Sequence, residues 1–82
     1  SKDKKEFLVI ELKKGRASDA VVGQIMRYMG YVKSELLESD QTVKGCIIAL
    51  DNDLKMQNAL KMINDIDFYK YKIQFDLMKD ND

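Results

Sequence analysis

The sequence predicts a small α/β domain in which three strands and two helices alternate along the chain as β-α-β-α-β. Two apolar runs have the length of buried strands, and each is followed by apolar residues at helical spacing. A third run, near the C-terminus, alternates apolar and polar residues. This order predicts a largely parallel sheet, and a chain of 82 residues forms one small domain at most.

The first predicted strand is Glu6–Lys13, in which residues 7–10 form a continuous apolar run that we expect to be covered on both faces. Gly15 interrupts the pattern. Ser18 is the expected N-cap of a helix that extends to about Glu38. The apolar stripe of this helix is predicted to comprise Val21, Ile25, Met29, Val32 and Leu36.

The second half of the chain repeats the strand–helix order and ends in a third strand. The run Val43–Leu50 predicts the central strand, and residues 51–53 offer a cap for a helix over Leu54–Ile66. The last strand is expected over Phe68–Leu77, near the sheet edge because one of its faces is polar. Residues 79–82 are expected to form a frayed tail. The predicted apolar face of the last strand comprises Tyr69, Tyr71, Ile73, Phe75 and Leu77.

The composition excludes several classes of site. The chain has no histidine, which rules out imidazole-based zinc sites, Ser-His triads and Cys-His dyads. Its single cysteine, Cys46, cannot form an internal disulfide, so we expect a buried thiol in a reducing, cytoplasmic compartment. No apolar run approaches the roughly 18 residues of a membrane span. The formal net charge is zero, yet residues 1–16 carry a net charge of +3, which a solvated terminus explains as well as DNA binding does.

The most informative short motif is Glu11-Leu12-Lys13, at the carboxyl end of the first predicted strand. Alternate residues of a strand point to the same side, so a carboxylate and an ammonium group are expected side by side. Glu11 and the Leu12 carbonyl could ligate Mg²⁺ or Mn²⁺, and Lys13 could orient a water or hold a phosphate. The alternative is that these are ordinary charged residues at a strand end.

A second candidate group, Gln24 and Tyr28, lies on the first predicted helix. Residues four apart share a helix face, and these two flank the apolar stripe. Gln24 could therefore reach toward the end of the first strand. An amide at the edge of the helix and a tyrosine in the core are the alternative interpretation.

These motifs, together with the strand Gly45-Cys46-Ile47-Ile48-Ala49, resemble the carboxyl-terminal nuclease domain of NucS-type endonucleases and the wider RecB-like group of PD-(D/E)xK nucleases. The resemblance covers residues 3–77. It implies a three-layer piece of a restriction-endonuclease-like fold and hydrolysis of DNA phosphodiesters that depends on Mg²⁺ or Mn²⁺. Glu11 then corresponds to the second acidic metal ligand, Lys13 to the motif lysine, Gln24 to the helix glutamine and Tyr28 to the helix tyrosine.

One part of the family pattern is absent from this sequence. The family carries its first metal-binding aspartate on the strand before the E-x-K strand, whereas this chain begins with residues 1–5, which we interpret as the turn between those strands. Asp3 is expected to be part of that turn. Asp51 could replace the missing ligand, or could instead cap a helix. We therefore expect the chain to be catalytically inactive or very weak by itself, because one carboxylate holds Mg²⁺ poorly.

Three functional interpretations follow. The first is the core segment of a DNA endonuclease, and the second is a nucleic-acid-binding or assembly module that keeps the nuclease fold without the chemistry. The third is a small ligand-binding domain. A glycine-rich phosphate loop after the first strand would support it, and the sequence has none there. A homodimer is also expected, because a truncated sheet could pair with a second copy at its edge.

Overall fold

The computed structural model describes residues 6–80 of the chain and shows the predicted mixed α/β fold. Three strands of one parallel sheet alternate with two helices, and two very short strands form a separate ladder. In chain order the elements are β1 (Glu6–Leu12), β2 (Arg16–Ala17), α1 (Asp19–Glu35), β3 (Thr42–Ala49), β4 (Asp51–Asn52), α2 (Leu54–Leu60) and β5 (Ile66–Lys70).

The main sheet has the strand order β1-β3-β5, with every neighbouring pair parallel. Both sequence predictions for it are confirmed, since β3 is the central strand and β5 is an edge strand. Parallel strands end at one side of a sheet, so β1, β3 and β5 all end at the same edge, which we call the carboxyl edge. The β2–β4 ladder lies just beyond this edge and pairs Arg16 with Asp51.

One face of the sheet, the covered face, packs against the helices. Ile47 on β3, Ile25 on α1 and Met56 on α2 are each 0% exposed and belong to one core cluster. Gly45 permits this close packing, because a Cβ atom there would lie 2.7 Å from the Met29 sulfur and 3.1 Å from Ile25 Cδ1. The other members of the core are Ala17, Val21, Val22, Ala49 and Ile66.

The opposite face of the sheet, the open face, is not covered by either helix. Leu8, Ile10 and Leu12 of β1 are 56%, 57% and 64% exposed, and Tyr69 of β5 is 58% exposed. The prediction that β1 is covered on both faces is therefore wrong for residues 6–80. Both helices pack on the covered face and contribute side chains to one core cluster. This part of the chain therefore forms two layers, one of strands and one of helices, rather than the three that the resemblance implies.

Three elements end at least three residues before the predicted position. Helix α1 ends at Glu35, and the last predicted stripe position, Leu36, is its C-cap and is 53% exposed. Helix α2 ends at Leu60, since the chain must turn for Ile66 to pair with Gly45. Strand β5 covers Ile66–Lys70 instead of Phe68–Leu77, because β3 ends at Ala49 and offers no further partner.

The helix caps agree with the sequence. Asp53 caps α2, with its Oδ1 accepting a hydrogen bond from the Met56 amide at 2.8 Å. Ser18 occupies the N-cap position of α1, although its hydroxyl makes no capping bond. Neither helix of residues 6–80 combines the length and apolar character that crossing a bilayer requires.

The chain beyond β5 leaves the sheet. Tyr71 extends the ladder by one hydrogen bond, from its amide to the Ala49 carbonyl at 3.0 Å. Residues 72–80 are exposed and lie outside regular structure. They include residues 79–80, the first part of the predicted tail. The predicted turn at residues 1–5, with Asp3, and the end of the tail at residues 81–82 lie outside the described residues.

Candidate functional site

The candidate site lies at the carboxyl edge, where the ends of the three parallel strands bring charged side chains together. Open parallel sheets bind ligands at this edge, because loops and helix starts surround it there. The β2–β4 ladder lies beyond the strand ends and joins the two loops that leave β1 and β3. The charged residues that these elements carry are Glu11, Lys13, Arg16, Asp51 and Lys70.

Glu11 and Lys13 form the pair that the strand periodicity predicts. The Glu11 Oε2 lies 3.6 Å from the Lys13 Nζ, so both side chains occupy one side of the strand. Glu11 lies opposite Ile47, which is 0% exposed, and this register places the carboxylate on the covered face. Its side chain is only 19% exposed, against 38% for Lys13. The structure therefore places a half-buried carboxylate directly beside a lysine at the end of β1.

The Leu12 carbonyl, the third predicted contact of the motif, belongs to the last residue of β1. Lys13 continues the ladder after it, with its amide donating to the Ile48 carbonyl at 2.9 Å. The Leu12 side chain lies on the open face and is 64% exposed. The backbone of β1 therefore stays extended through the motif, which keeps Glu11 and Lys13 on the same side.

Asp51 lies at the same edge of the sheet but in a different environment from Glu11. Its Oδ1 accepts a hydrogen bond from the Asn52 amide at 2.8 Å and lies 4.0 Å from the Lys70 Nζ. The side chain is 54% exposed. Asp53, not Asp51, caps α2, so the capping alternative for Asp51 is wrong.

Gln24 and Tyr28 are less closely connected to the strand end. Gln24 is half-buried on α1, and within residues 6–80 no hydrogen bond joins its amide to Glu11 or Lys13. Tyr28 is 50% exposed, so the alternative of a core tyrosine is wrong. The structure thus brings Glu11 and Lys13 together and leaves both helix residues outside that contact.

Three residues of the carboxyl edge escaped the sequence prediction. Lys70 pairs with Asp51, and Arg16 donates from Nε to the Asn52 carbonyl at 3.3 Å. The Tyr71 hydroxyl donates to the Lys14 carbonyl and so joins the end of β5 to the loop after β1. The rule that sites form at strand ends would have identified Lys70 and Tyr71 if the end of β5 had been predicted at residue 70.

Two surface clefts flank the sheet, each of about 450 Å³. One lies at the carboxyl edge and includes Asp51, Lys70 and Tyr71 among its lining residues. The other lies at the opposite end, between α1 and the beginning of β3, where Met26, Met29 and Lys44 contribute to its walls. The cleft between α1 and β3 contains none of the predicted site residues. The predicted site and this more apolar cleft therefore lie at opposite ends of the sheet.

The carboxylates of the carboxyl edge do not complete a metal site by themselves. Within residues 6–80, no group of three or more aspartate, glutamate or cysteine side chains lies close enough to hold a metal ion. Glu11 and Asp51 are each paired with a lysine, at 3.6 Å and 4.0 Å. Mg²⁺ needs about six oxygen ligands, some of which water and substrate phosphates can supply. The protein donors therefore fall short of what a resident Mg²⁺ ion requires.

Comparison of the chain with protein-family models, with curated proteins and with solved structures finds no match. The resemblance to PD-(D/E)xK nucleases therefore stays a prediction that rests on the residues and their geometry. The mixed α/β fold with a parallel three-stranded sheet is what the structure shows.

Proposed function

We propose that this chain is the core segment of a metal-dependent DNA endonuclease, inactive as the 82-residue chain alone. In this proposal, Glu11 is a metal ligand and Lys13 holds the scissile phosphate or its attacking water. The Leu12 carbonyl and Asp51 are the further ligand candidates, and Gln24 and Tyr28 contribute from α1. The reaction class is hydrolysis of a DNA phosphodiester, with Mg²⁺ or Mn²⁺ as the cofactor.

The observation that carries the proposal is the Glu11–Lys13 pair. A second pair, Glu6 of β1 with Lys44 of β3 at 3.7 Å, shows what an ordinary surface ion pair looks like in this protein. The Glu6 and Lys44 side chains are 53% and 51% exposed, whereas Glu11 is 19% exposed. Half-burial of a carboxylate costs desolvation energy, which a site for a cation or a cationic group offsets. Glu11 thus combines the position and the environment that a ligand needs.

The charge around this pair suits a phosphate backbone. Five basic side chains lie at the carboxyl edge or in the loops next to it, against the three carboxylates of Glu11, Asp51 and Asp53, which leaves a net charge of +2. The whole chain has a formal net charge of zero, so positive charge is concentrated where the predicted chemistry lies. Lysine and arginine in such a cluster contact phosphate oxygens without reading base sequence. The basic residues are Lys13, Lys14, Arg16, Lys70 and Lys72.

The shortage of carboxylates explains why we expect no cleavage by the chain alone. A purified sample incubated with supercoiled plasmid and Mn²⁺ is expected to give no nicked product above the level of a buffer control. Strong nicking that disappears in Glu11→Ala would contradict the expected inactivity and would support the nuclease assignment. Strong nicking that persists in Glu11→Ala would place the activity elsewhere.

A binding experiment tests the role of Glu11 without requiring turnover. A short DNA duplex should supply the phosphate oxygens that the protein site lacks. We therefore expect paramagnetic Mn²⁺ to broaden the amide NMR signals of residues 11–13 when DNA is present, and to do so far less without DNA. Glu11→Gln should abolish this broadening, whereas Glu6→Gln, the matched control on the same strand, should leave it unchanged. Broadening that survives in Glu11→Gln would refute the ligand role.

The second candidate function is a non-catalytic nucleic-acid-binding or assembly module. The observation that favours it is that both carboxylates of the carboxyl edge already have lysine partners, at 3.6 Å and 4.0 Å. Such a module would bind the same DNA with the same salt dependence, because its affinity comes from the basic residues. It would show no Mn²⁺ broadening at residues 11–13, with or without DNA, which distinguishes the two functions.

Two further parts of the proposal concern location and self-association. A buried free thiol at Cys46 is compatible with the reducing cytoplasm that we propose. A second copy of the chain is the other proposed partner. In the described part of the chain, β1 is an edge strand whose outer side forms no ladder, and such edges pair readily with another strand.

A further inference from the structure

The open face of the sheet carries a contiguous apolar patch, which Lys44 on β3 and Asp67 on β5 border. Across its width, Leu12, Ile48 and Tyr69 lie in one row, because Leu12 is in register with Ile48 and Ile48 with Tyr69. Leu8 and Ile10 extend the surface along β1. All but Ile48 are more than half exposed, at 56–64%. Soluble proteins rarely leave a contiguous apolar surface of this kind without a partner.

A second exposed apolar surface lies on the same chain, in the C-terminal arm, residues 72–78. Ile73, Phe75 and Leu77 are 56%, 81% and 95% exposed. They alternate with the polar residues of the arm, which are Lys72, Gln74 and Asp76. This period of two is the pattern of a strand with one apolar face, so the arm matches the sheet surface in periodicity.

The arm does not cover the open face of its own sheet. Tyr71, the last residue before the arm, is held by hydrogen bonds to the Ala49 and Lys14 carbonyls. A return over the sheet would need a tight reversal directly after it, yet residues 72–75 contain no glycine, proline, asparagine, aspartate or serine. The radius of gyration is 17.1 Å, whereas a compact domain of this length has about 12 Å. The arm therefore extends away from the domain.

A second copy of the chain can satisfy both surfaces at once. Each copy would give an arm and receive one, which is the self-complementary arrangement of a twofold dimer. The apolar side of the arm and the open face together present seven large apolar side chains that are each more than half exposed. At roughly 100–200 Å² for each large side chain, these residues reach the ~800 Å² per partner of a stable interface. The polar side of the arm would remain in water.

We propose that this protein forms a dimer by arm exchange, in which residues 72–78 of one copy lie with their apolar side on the open face of the other. The interface is separate from the carboxyl-edge residues Glu11 and Lys13, which lie on the covered side of the sheet. This inference does not depend on the nuclease proposal. A protein without any metal or DNA chemistry would form the same dimer.

Sedimentation equilibrium over a wide concentration range tests the dimer. We expect the wild-type chain to be dimeric, and Phe75→Asp to raise the dimer dissociation constant at least tenfold. Met62→Asp is the matched control, because Met62 is 85% exposed in the turn after α2, away from both surfaces. It should leave the dissociation constant unchanged. Both positions are exposed, so circular dichroism should show native folding in each variant.

A mixing experiment tests the reciprocal contact. Ile10→Lys damages the open face and leaves the arm intact, whereas Phe75→Asp does the opposite. Each variant alone should be monomeric, and an equimolar mixture should form a heterodimer through the one undamaged contact. Failure of the mixture to associate would contradict arm exchange.

Two other outcomes would also overturn the proposal. A wild-type chain that stays monomeric at all concentrations, but is destabilised by Phe75→Asp, would show that the arm folds onto its own sheet. A dimer that tolerates both Phe75→Asp and Ile10→Lys would have a different interface.

Discussion

The two faces of the sheet differ more than any other two regions of the molecule. On the covered face, the side chains of β3 pack against both helices, and Ile47 is fully buried. On the open face, Ile10 of the neighbouring strand is 57% exposed although it has the same chemical character. The comparison shows that an apolar residue stabilises the chain only where a second element packs on it. Within residues 6–80, the helices cover one face of the sheet and leave the other exposed.

The largest expected effect is the loss of a side chain from the covered face. Ile47→Ala should lower the free energy of unfolding by about 2–5 kcal/mol, because it leaves a cavity in the core. Ile10→Ala should cost less than about 1 kcal/mol in the monomer, since water already surrounds much of that side chain. Urea denaturation at low protein concentration measures both. Should Ile47→Ala fail to fold, Ile47→Val should still cost about 0.5–1.5 kcal/mol.

An intermediate effect is expected from adding one methyl group to the covered face. Gly45→Ala should destabilise the protein by about 1–3 kcal/mol, since the new Cβ would lie within 3.2 Å of three core side chains. Gly15→Ala is the control, because a Cβ atom there meets nothing within 4 Å. Thermal melting compares the two variants. Equal melting temperatures would mean that the packing around Gly45 is looser than the structure shows.

The smallest effect concerns a thiol on the open face. Burial raises the pKa of Cys46 above its ordinary value, and the Asp67 carboxylate on the next strand raises this pKa further. A raised pKa leaves less thiolate at pH 8, so iodoacetamide should alkylate Cys46 more slowly than a free thiol. Asp67→Asn should lower the pKa again and speed alkylation by a few-fold at that pH. The exposed Asp76→Asn serves as control, and an equal acceleration there would exclude a local effect of Asp67.

The order and type of the main elements could be predicted from the sequence, because apolar periodicity encodes them directly. The central position of β3 followed from its apolar run, and the edge position of β5 followed from its alternation. The end of β5 could not be predicted from that alternation, which continues to Leu77 while the pairing partner stops at Ala49. Coverage of β1 was misjudged for a related reason. An apolar run indicates which side chains can be buried. It does not indicate which of them another element covers in this chain.

The candidate site was predictable to the extent that it lies on one strand. The contact between Glu11 and Lys13 follows from the period of two and is present at 3.6 Å. Lys70 reaches Asp51 only because two loops and a strand end converge, which no local pattern reveals. The two-residue ladder of Arg16–Ala17 with Asp51–Asn52 is equally invisible in the sequence, since strands of that length have no periodicity.

The hydrogen bond from the Tyr71 hydroxyl to the Lys14 carbonyl joins positions 57 residues apart. Both ladders of the main sheet are similarly non-local, since β1 pairs with β3 and β3 pairs with β5. During translation, the β1 segment must therefore leave the ribosome before its partner β3 does. Topologies of this kind fold slowly and expose apolar segments to aggregation in the meantime. A nascent chain arrested before residue 71 should accordingly be a good substrate for a chaperone that recognises extended apolar peptides.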